Sequence, residues 1–217
     1  MLAPNLITLF RLCLVFVSVG LFGHGARASA AALVLLVITI WLDALDGYVA
    51  RRYACASDTG AAFDIAADRI VENVYWIFFA VSGLISFWIP LIVIARGGLT
   101  DFLRALAFRQ GQNAFGENTM MRTWWGRLLT GSRWSRAAYG VIKCAAFFAL
   151  GARLALKDIL REFPAWRELW TAGVLGGLQA VALALAVAAV ACCLVRGVPV
   201  MIEGLRFFRK APVMGLR

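Results

Sequence analysis

Six apolar runs, each near the length of a bilayer crossing, constrain this chain more than any other feature. They cover about residues 5–22, 29–50, 60–81, 84–106, 134–155 and 169–195. A helix needs about 20 apolar residues to cross the hydrocarbon core. The 217 residues are 62% hydrophobic with a mean hydropathy of +0.80. A soluble domain runs near 45–50% apolar. The expected fold is therefore an all-α integral membrane protein of six transmembrane helices. The first run has the position of a signal peptide. It lacks a basic leading segment and carries Arg11 inside it, so it reads as a retained helix.

The net charge of +10 does not call for a nucleic-acid partner. With the N-terminus in the cytoplasm, 17 of the 22 basic residues fall on the inner side and five on the outer. The outer five are Arg27, Arg153, Lys157, Arg161 and Arg167, and the outer loop at 153–168 also carries Asp158, Glu162 and Glu168. The positive-inside rule thus predicts N-in/C-in topology. The five cysteines, Cys13, Cys55, Cys144, Cys192 and Cys193, show no CxxC spacing and read as small apolar fillers. The one histidine, His24, falls in an outer loop, which removes His-based catalysis and His-rich metal sites.

The chain reads as one membrane domain, 1–217, without linker or repeat. Pro4 and Asn5 open the first helix. The second ends at Arg51-Arg52-Tyr53, and a turn from Ala54 to Gly60 follows, with Asp58 or Thr59 as the expected cap of the third. The charged stretch 107–132, with Trp124 and Trp125, is expected on the cytoplasmic surface, partly as an interfacial helix. Residues 198–217 read as a basic cytoplasmic tail suited to an anionic leaflet.

Four carboxylates stand against this apolar background, in the stretch LDALDGYVARRYACASDTGAAFDIAADRI. Each ionised Asp at a bilayer centre costs about 2.5–3.5 kcal/mol if unpaired. Asp43 and Asp46 are three apart and Asp64 and Asp68 four apart, so each pair shares a helix face. Two antiparallel helices joined by a short turn bring the pairs together as a cage at the cytoplasmic ends of helices two and three. Hard divalent cations take such oxygen ligands. The cage suits one ion, or two about 3.5–4 Å apart as in phosphoryl-transfer sites. Gly47, Ala50 and Gly60 leave room beside the acids, and Arg51 offers a forked cation for phosphate oxygens. Asp68 is the expected general base toward an alcohol.

The pattern D-x2-D-G-x2-A-R-x8-G-x3-D-x3-D at 43–68 resembles the signature of the CDP-alcohol phosphotransferase family at every fixed position. The resemblance implies transfer of a phosphatidyl group from CDP-diacylglycerol to a small polar alcohol with release of CMP. It implies six helices, Mg2+ or Mn2+ held as two ions, and a homodimer. Helix count and the lack of a targeting segment suit a bacterial inner membrane. By the same resemblance Asp43, Asp46, Asp64 and Asp68 ligate metal, with Asp64 and Arg51 assisting Asp68 in catalysis. Gly47, Ala50, Arg51 and Gly60 frame the CDP moiety.

The opening PNLITLFRL also resembles phosphatidylglycerophosphate synthases, which places Asn5, Thr8 and Arg11 near the nucleotide and makes glycerol 3-phosphate the favoured acceptor. Arg11 has a second reading, as a snorkelling cation of the first helix. Arg96, Arg104, Arg133, Arg136 and Lys143 are the candidate cations for the acceptor phosphate. Two departures bear on the acceptor. Arg69 stands where Lys is usual, and Gly131-Ser132-Arg133-Trp134-Ser135-Arg136 replaces a G-K-x-K-T run. Inositol phosphate, serine and phosphatidylglycerol remain alternative acceptors. Glu72 adds an acid on the Asp64/Asp68 face. From another class, a divalent-cation transporter remains the rival reading of intramembrane acids.

Overall fold

A computed structural model describes residues 2–53, 58–109, 121, 123–163, 165–166 and 172–209. All regular structure among them is helical. The helices are α1 (Leu2–Leu21), α2 (Ala26–Tyr53), α3 (Asp58–Val81), α4 (Trp88–Arg109), the short α5 (Trp124–Gly126), α6 (Arg133–Glu162) and α7 (Ala172–Arg209). A single π-helical stretch, Arg127–Gly131, follows α5.

Among the described residues, three helices are long and apolar enough to cross a membrane, at Ala26–Asp43, Trp134–Glu162 and Gly173–Arg206, with a shorter apolar stretch at Leu6–Leu21. The sequence suggested six spans. Charge separates the remaining helices from the three: α3 carries Asp64, Asp68, Arg69 and Glu72, and α4 carries Arg96, Asp101 and Arg104.

Two helices run further than apolarity predicts. The outer loop expected at 153–168 is helical as far as Glu162, and the expected tail from 198 is helical as far as Arg209. Leu, Ala, Lys, Arg and Glu are strong helix formers, so the helix continues where hydrophobicity stops. α7 does so across Pro199, which lies inside the helix.

The chain divides into two compact units. The first comprises residues 1–90 and 144–186. On its α1 the buried positions are Thr8, Arg11, Val15 and Ser18, a single stripe at helical spacing that Phe22 continues just past the helix end. Leu9, Phe10, Phe16 and Val17 face outward, as lipid contact requires. Buried Ser18 donates from Oγ to the carbonyl of Ala32 at 2.9 Å, which ties α1 to α2. The core is aromatic. Phe147 packs edge-on to Trp76 with centroids 4.8 Å apart and lies 5.4 Å from Tyr75. Gly151 allows α6 to approach α2: a Cβ there would stand 3.2 Å from Leu33 Cδ1 and 3.3 Å from Leu36 Cδ1.

The start of α2 is held by acids from α6. Ala26 N–H donates to Glu162 Oε2 at 2.8 Å, and Ser29 Oγ donates to Asp158 Oδ2 at 2.5 Å. The first N–H groups of a helix have no partner within it, so distant carboxylates serve here as the cap. Buried Asp158 and exposed Glu162 thus both have structural roles as caps of α2.

α3 ends in a Schellman motif. Gly83 adopts φ 73°, its N–H donates to Ala80 O at 3.0 Å, and Leu84 N–H donates to Phe79 O at 3.1 Å. A side chain at that φ costs about 1–2 kcal/mol. Gly83→Ala is accordingly expected to lower stability by about 1 kcal/mol, as measured by thermal unfolding in detergent; an unchanged transition would contradict this.

The second unit comprises residues 91–143 and 187–217. Leu103, Ala107, Met121 and Val200 form its small core. Gly204 permits the contact with Leu103, whose Cδ1 would lie 2.7 Å from an added Cβ. Glu203 is almost fully buried and accepts from Thr123 N–H at 3.0 Å and Thr123 Oγ at 2.5 Å. Those bonds anchor the start of α5 at the end of the stretch expected on the cytoplasmic surface. Removing a buried acceptor strands its donors at about 1–3 kcal/mol. Glu203→Ala is therefore expected to speed amide hydrogen exchange across 123–131 without a comparable change in α1–α3. Equal exchange in both proteins would remove Glu203 from this role.

Candidate functional site

Period and burial explain where the acids stand. Asp43 lies on α2, and Asp64 and Asp68 lie one turn apart on α3. The surroundings of Asp46, Gly47, Ala50 and Arg51 lie outside what is described, though the α2 backbone carries these residues in helical register as far as Tyr53. Gly60 lies in the first turn of α3 and is half-buried.

Asp43, Asp64 and Asp68 converge from two helices, as their spacing predicts. They converge on a residue of a third helix, Arg11. Its Nη1 donates to Asp43 Oδ1, and its Nη2 donates to Asp68 Oδ1 at 2.6 Å and stands 3.5 Å from Asp64 Oδ1. The Arg11 side chain is 1% exposed, whereas those of Asp43, Asp64 and Asp68 are 55%, 44% and 48% exposed. A buried guanidinium thus forms the floor of a cluster whose acids open outward. Arg11 is not a snorkelling residue in this arrangement: its head turns inward to the acids.

The donor set is right in kind for a hard divalent cation, since three carboxylates meet at one cation position. Among the described residues, no three His, Cys, Asp or Glu side chains are themselves set to hold an ion, and the Arg11 guanidinium stands between the three carboxylates.

Neighbouring residues complete the surroundings. Thr8 is buried one turn before Arg11 on the same stripe. The side chain of Asn5 lies outside the described residues. Glu72 is buried and stands 3.9 Å from Arg69 Nη1, so it is part of an ion pair on α3.

The cations expected for an acceptor phosphate all belong to the second unit. Arg96 is buried, with its Nε lacking a hydrogen-bond partner among the described residues, and it packs where a Cβ on Gly197 would lie 2.7 Å from that Nε. Arg104 pairs with Asp101 at 3.7 Å. Lys143 Nζ lies 5.5 Å from the Tyr139 ring centre, and Arg196 Cζ lies 5.7 Å from it. Arg136 is exposed, and the side chain of Arg133 lies outside the described residues.

Arg196 is the residue that sequence reasoning missed. Its Nη1 donates to Ser135 Oγ at 3.3 Å, and it feels the like charges of Arg96 and Arg136. Arg96, Arg136 and Arg196 thus gather positive charge. Such a gathering suits an anion. The available signal was a single Arg inside an otherwise apolar run, which the topology count absorbed.

Comparison with known proteins gives the geometry a context. The chain is similar to a Mycobacterium tuberculosis protein carrying the provisional name cardiolipin synthase, with 32% identity over 113 residues, 51% of this chain and 53% of that protein. It is similar to a Mycobacterium tuberculosis protein with the provisional name phosphatidylglycerophosphate synthase, with 28% identity over 130 residues, 58% of this chain and 59% of that protein. An archaetidylinositol phosphate synthase of Aeropyrum pernix shares 37% identity over 98 residues, 44% of this chain and 48% of that protein. The chain thus spans about half the length of these curated relatives. The sequence model of the CDP-alcohol phosphatidyltransferase family matches residues 1–172, which include α1–α3, all four signature acids and Arg11. This chain therefore belongs to the CDP-alcohol phosphatidyltransferase family.

Proposed function

We propose that this protein is a phosphatidyltransferase that moves a phosphatidyl group from CDP-diacylglycerol to the hydroxyl of a small polar alcohol and releases CMP. The observation that carries the reading is the convergence of Asp43, Asp64 and Asp68 on one cation position, within a region matched by the family.

Asp43, Asp46, Asp64 and Asp68 would hold Mg2+ or Mn2+, as one or two ions. When bound, the metal supplies charge neutralisation at the pyrophosphate and at the departing phosphate oxygen. Gly47, Ala50, Arg51 and Gly60, with Asn5 and Thr8, frame the CDP moiety. Arg51 neutralises pyrophosphate oxygens through its planar fork. Asp68 accepts the proton of the acceptor hydroxyl. The acceptor oxygen forms a bond to the β-phosphorus, the bond from that phosphorus to the CMP oxygen breaks, and CMP carries away the electron pair. The partial exposure of Asp68 is compatible with an acceptor reaching it from outside the bundle.

The favoured acceptor is glycerol 3-phosphate. The N-terminal motif and the similarity to a protein named as a phosphatidylglycerophosphate synthase support it. The candidate cations for its phosphate are Arg96, Arg104, Arg133, Arg136 and Lys143, and Arg196 joins them. The working topology is six crossings with both termini and the acids on the cytoplasmic side of the inner membrane, in a homodimer. The charge distribution supports that orientation.

The test is product identification by mass spectrometry. Purified protein receives CDP-diacylglycerol with glycerol 3-phosphate, inositol phosphate, serine or phosphatidylglycerol in turn. Phosphatidylglycerol phosphate as the main product is expected. Cardiolipin from phosphatidylglycerol, or a phosphatidyl product from another acceptor alone, would replace the substrate and keep the reaction class.

A further inference from the structure

Arg11 is surrounded by more acid than it can neutralise. Three carboxylates lie around one guanidinium, and each contact is to the Oδ1 atom of its Asp. Nothing else described engages the charged head: Arg11 Nε is buried without a hydrogen-bond partner among the described residues. The acids therefore hold the side chain, and the side chain holds the acids. Paired with only one of them it would already be neutral, so the group of four residues keeps a net negative charge.

Like charges brought together repel, and a buried cation left without a partner is costly. The metal-free cluster thus depends on Arg11 to stay assembled. The same oxygens are those a divalent ion would take. An ion that binds them must draw them from the guanidinium.

We infer that Arg11 is the resident counter-cation of the acid cluster: it keeps Asp43, Asp64 and Asp68 together before metal binds and gives up their oxygens when metal enters. The inference rests on the proposed metal site. It makes Arg11 a positioning residue of the metal-free protein and a competitor of the ion. Because Arg11 sits on α1 and the acids on α2 and α3, the exchange alters what joins α1 to the other two helices.

The test uses the full chain in detergent, with Arg11→Met to remove charge while keeping bulk, and Arg11→Lys to keep charge. Metal-free thermal unfolding is measured in EDTA, and Mn2+ affinity by the electron paramagnetic resonance signal of the free ion. Arg11→Met is expected to unfold at lower temperature without metal and to approach wild type at saturating Mn2+. It is also expected to bind Mn2+ about tenfold more tightly, because the ion no longer displaces a competitor that fills the cluster most of the time. Arg11→Lys should regain most of the metal-free stability.

Equal Mn2+ affinity in wild type and Arg11→Met would overturn the exchange and leave the metal site standing. Weaker affinity in Arg11→Met would overturn it too, by making Arg11 a support of the bound ion. Absence of Mn2+ binding in wild type would overturn the metal site itself. Should Arg11→Met not accumulate, Arg11→Met with Asp43→Asn removes one of the repelling charges. Recovery of folded protein is then expected, and failure to recover while Asp43→Asn alone folds would overturn the counter-cation role.

Discussion

Asp68→Asn is expected to lower kcat by about 10³-fold, within the range for loss of a general base. The substitution keeps the shape of the side chain and removes its negative charge and its capacity to take a proton. Asp68 Oδ1 accepts from Arg11 Nη2 at 2.6 Å, and about half of the Asp68 side chain is exposed. It is therefore both held in place and open to an incoming alcohol. An asparagine can still accept a hydrogen bond from Arg11 through its amide oxygen. The fold should survive, so thermal unfolding separates lost chemistry from lost structure. A folded Asp68→Asn protein with kcat within about tenfold of wild type would end the base assignment.

Phe147→Ala is expected to cost about 3 kcal/mol of stability, the low end for a buried aromatic truncated to alanine. Phe147 is 2% exposed and touches Tyr75, Trp76 and Phe79 of α3, with centroids 5.4, 4.8 and 6.1 Å away. In a bilayer the unfolded reference is also apolar, so close packing rather than escape from water supplies the stabilisation. That places the effect toward the low end of values measured in water. The same contacts hold α3, and with it Asp64 and Asp68, against α6. Phe147→Leu, which keeps most of the volume, should lose less than half as much. Equal loss in both variants would show that the ring contacts contribute little.

What the sequence made legible is local. The i, i+4 spacing puts Asp64 and Asp68 on one face, because helix period alone decides that. The partners of buried charges were not legible. Arg11 meets acids 32 to 57 residues away, Glu203 meets Thr123 across 80, and Glu162 meets Ala26 across 136. No period encodes such pairs. They follow from how helices stack, and a lone charge in an apolar run reads equally as topology, cap or site. One clue was present: Thr8, Arg11 and Ser18 share the stripe of Val15 and Phe22, so Arg11 had to face the bundle interior. The ends of α6 and α7 were misjudged for a different reason, since hydropathy marks where the bilayer ends and not where the helix does.

The most direct test of the central claim is CMP release from CDP-diacylglycerol by the purified protein, before and after EDTA and again with Mg2+ or Mn2+ restored. Metal-dependent cleavage requires acceptor-stimulated release that stops with chelation and returns with the ion. Release that continues at the same rate through chelation would contradict a metal-assisted acid cluster, and intact CDP-diacylglycerol under every metal and acceptor would contradict the reaction itself.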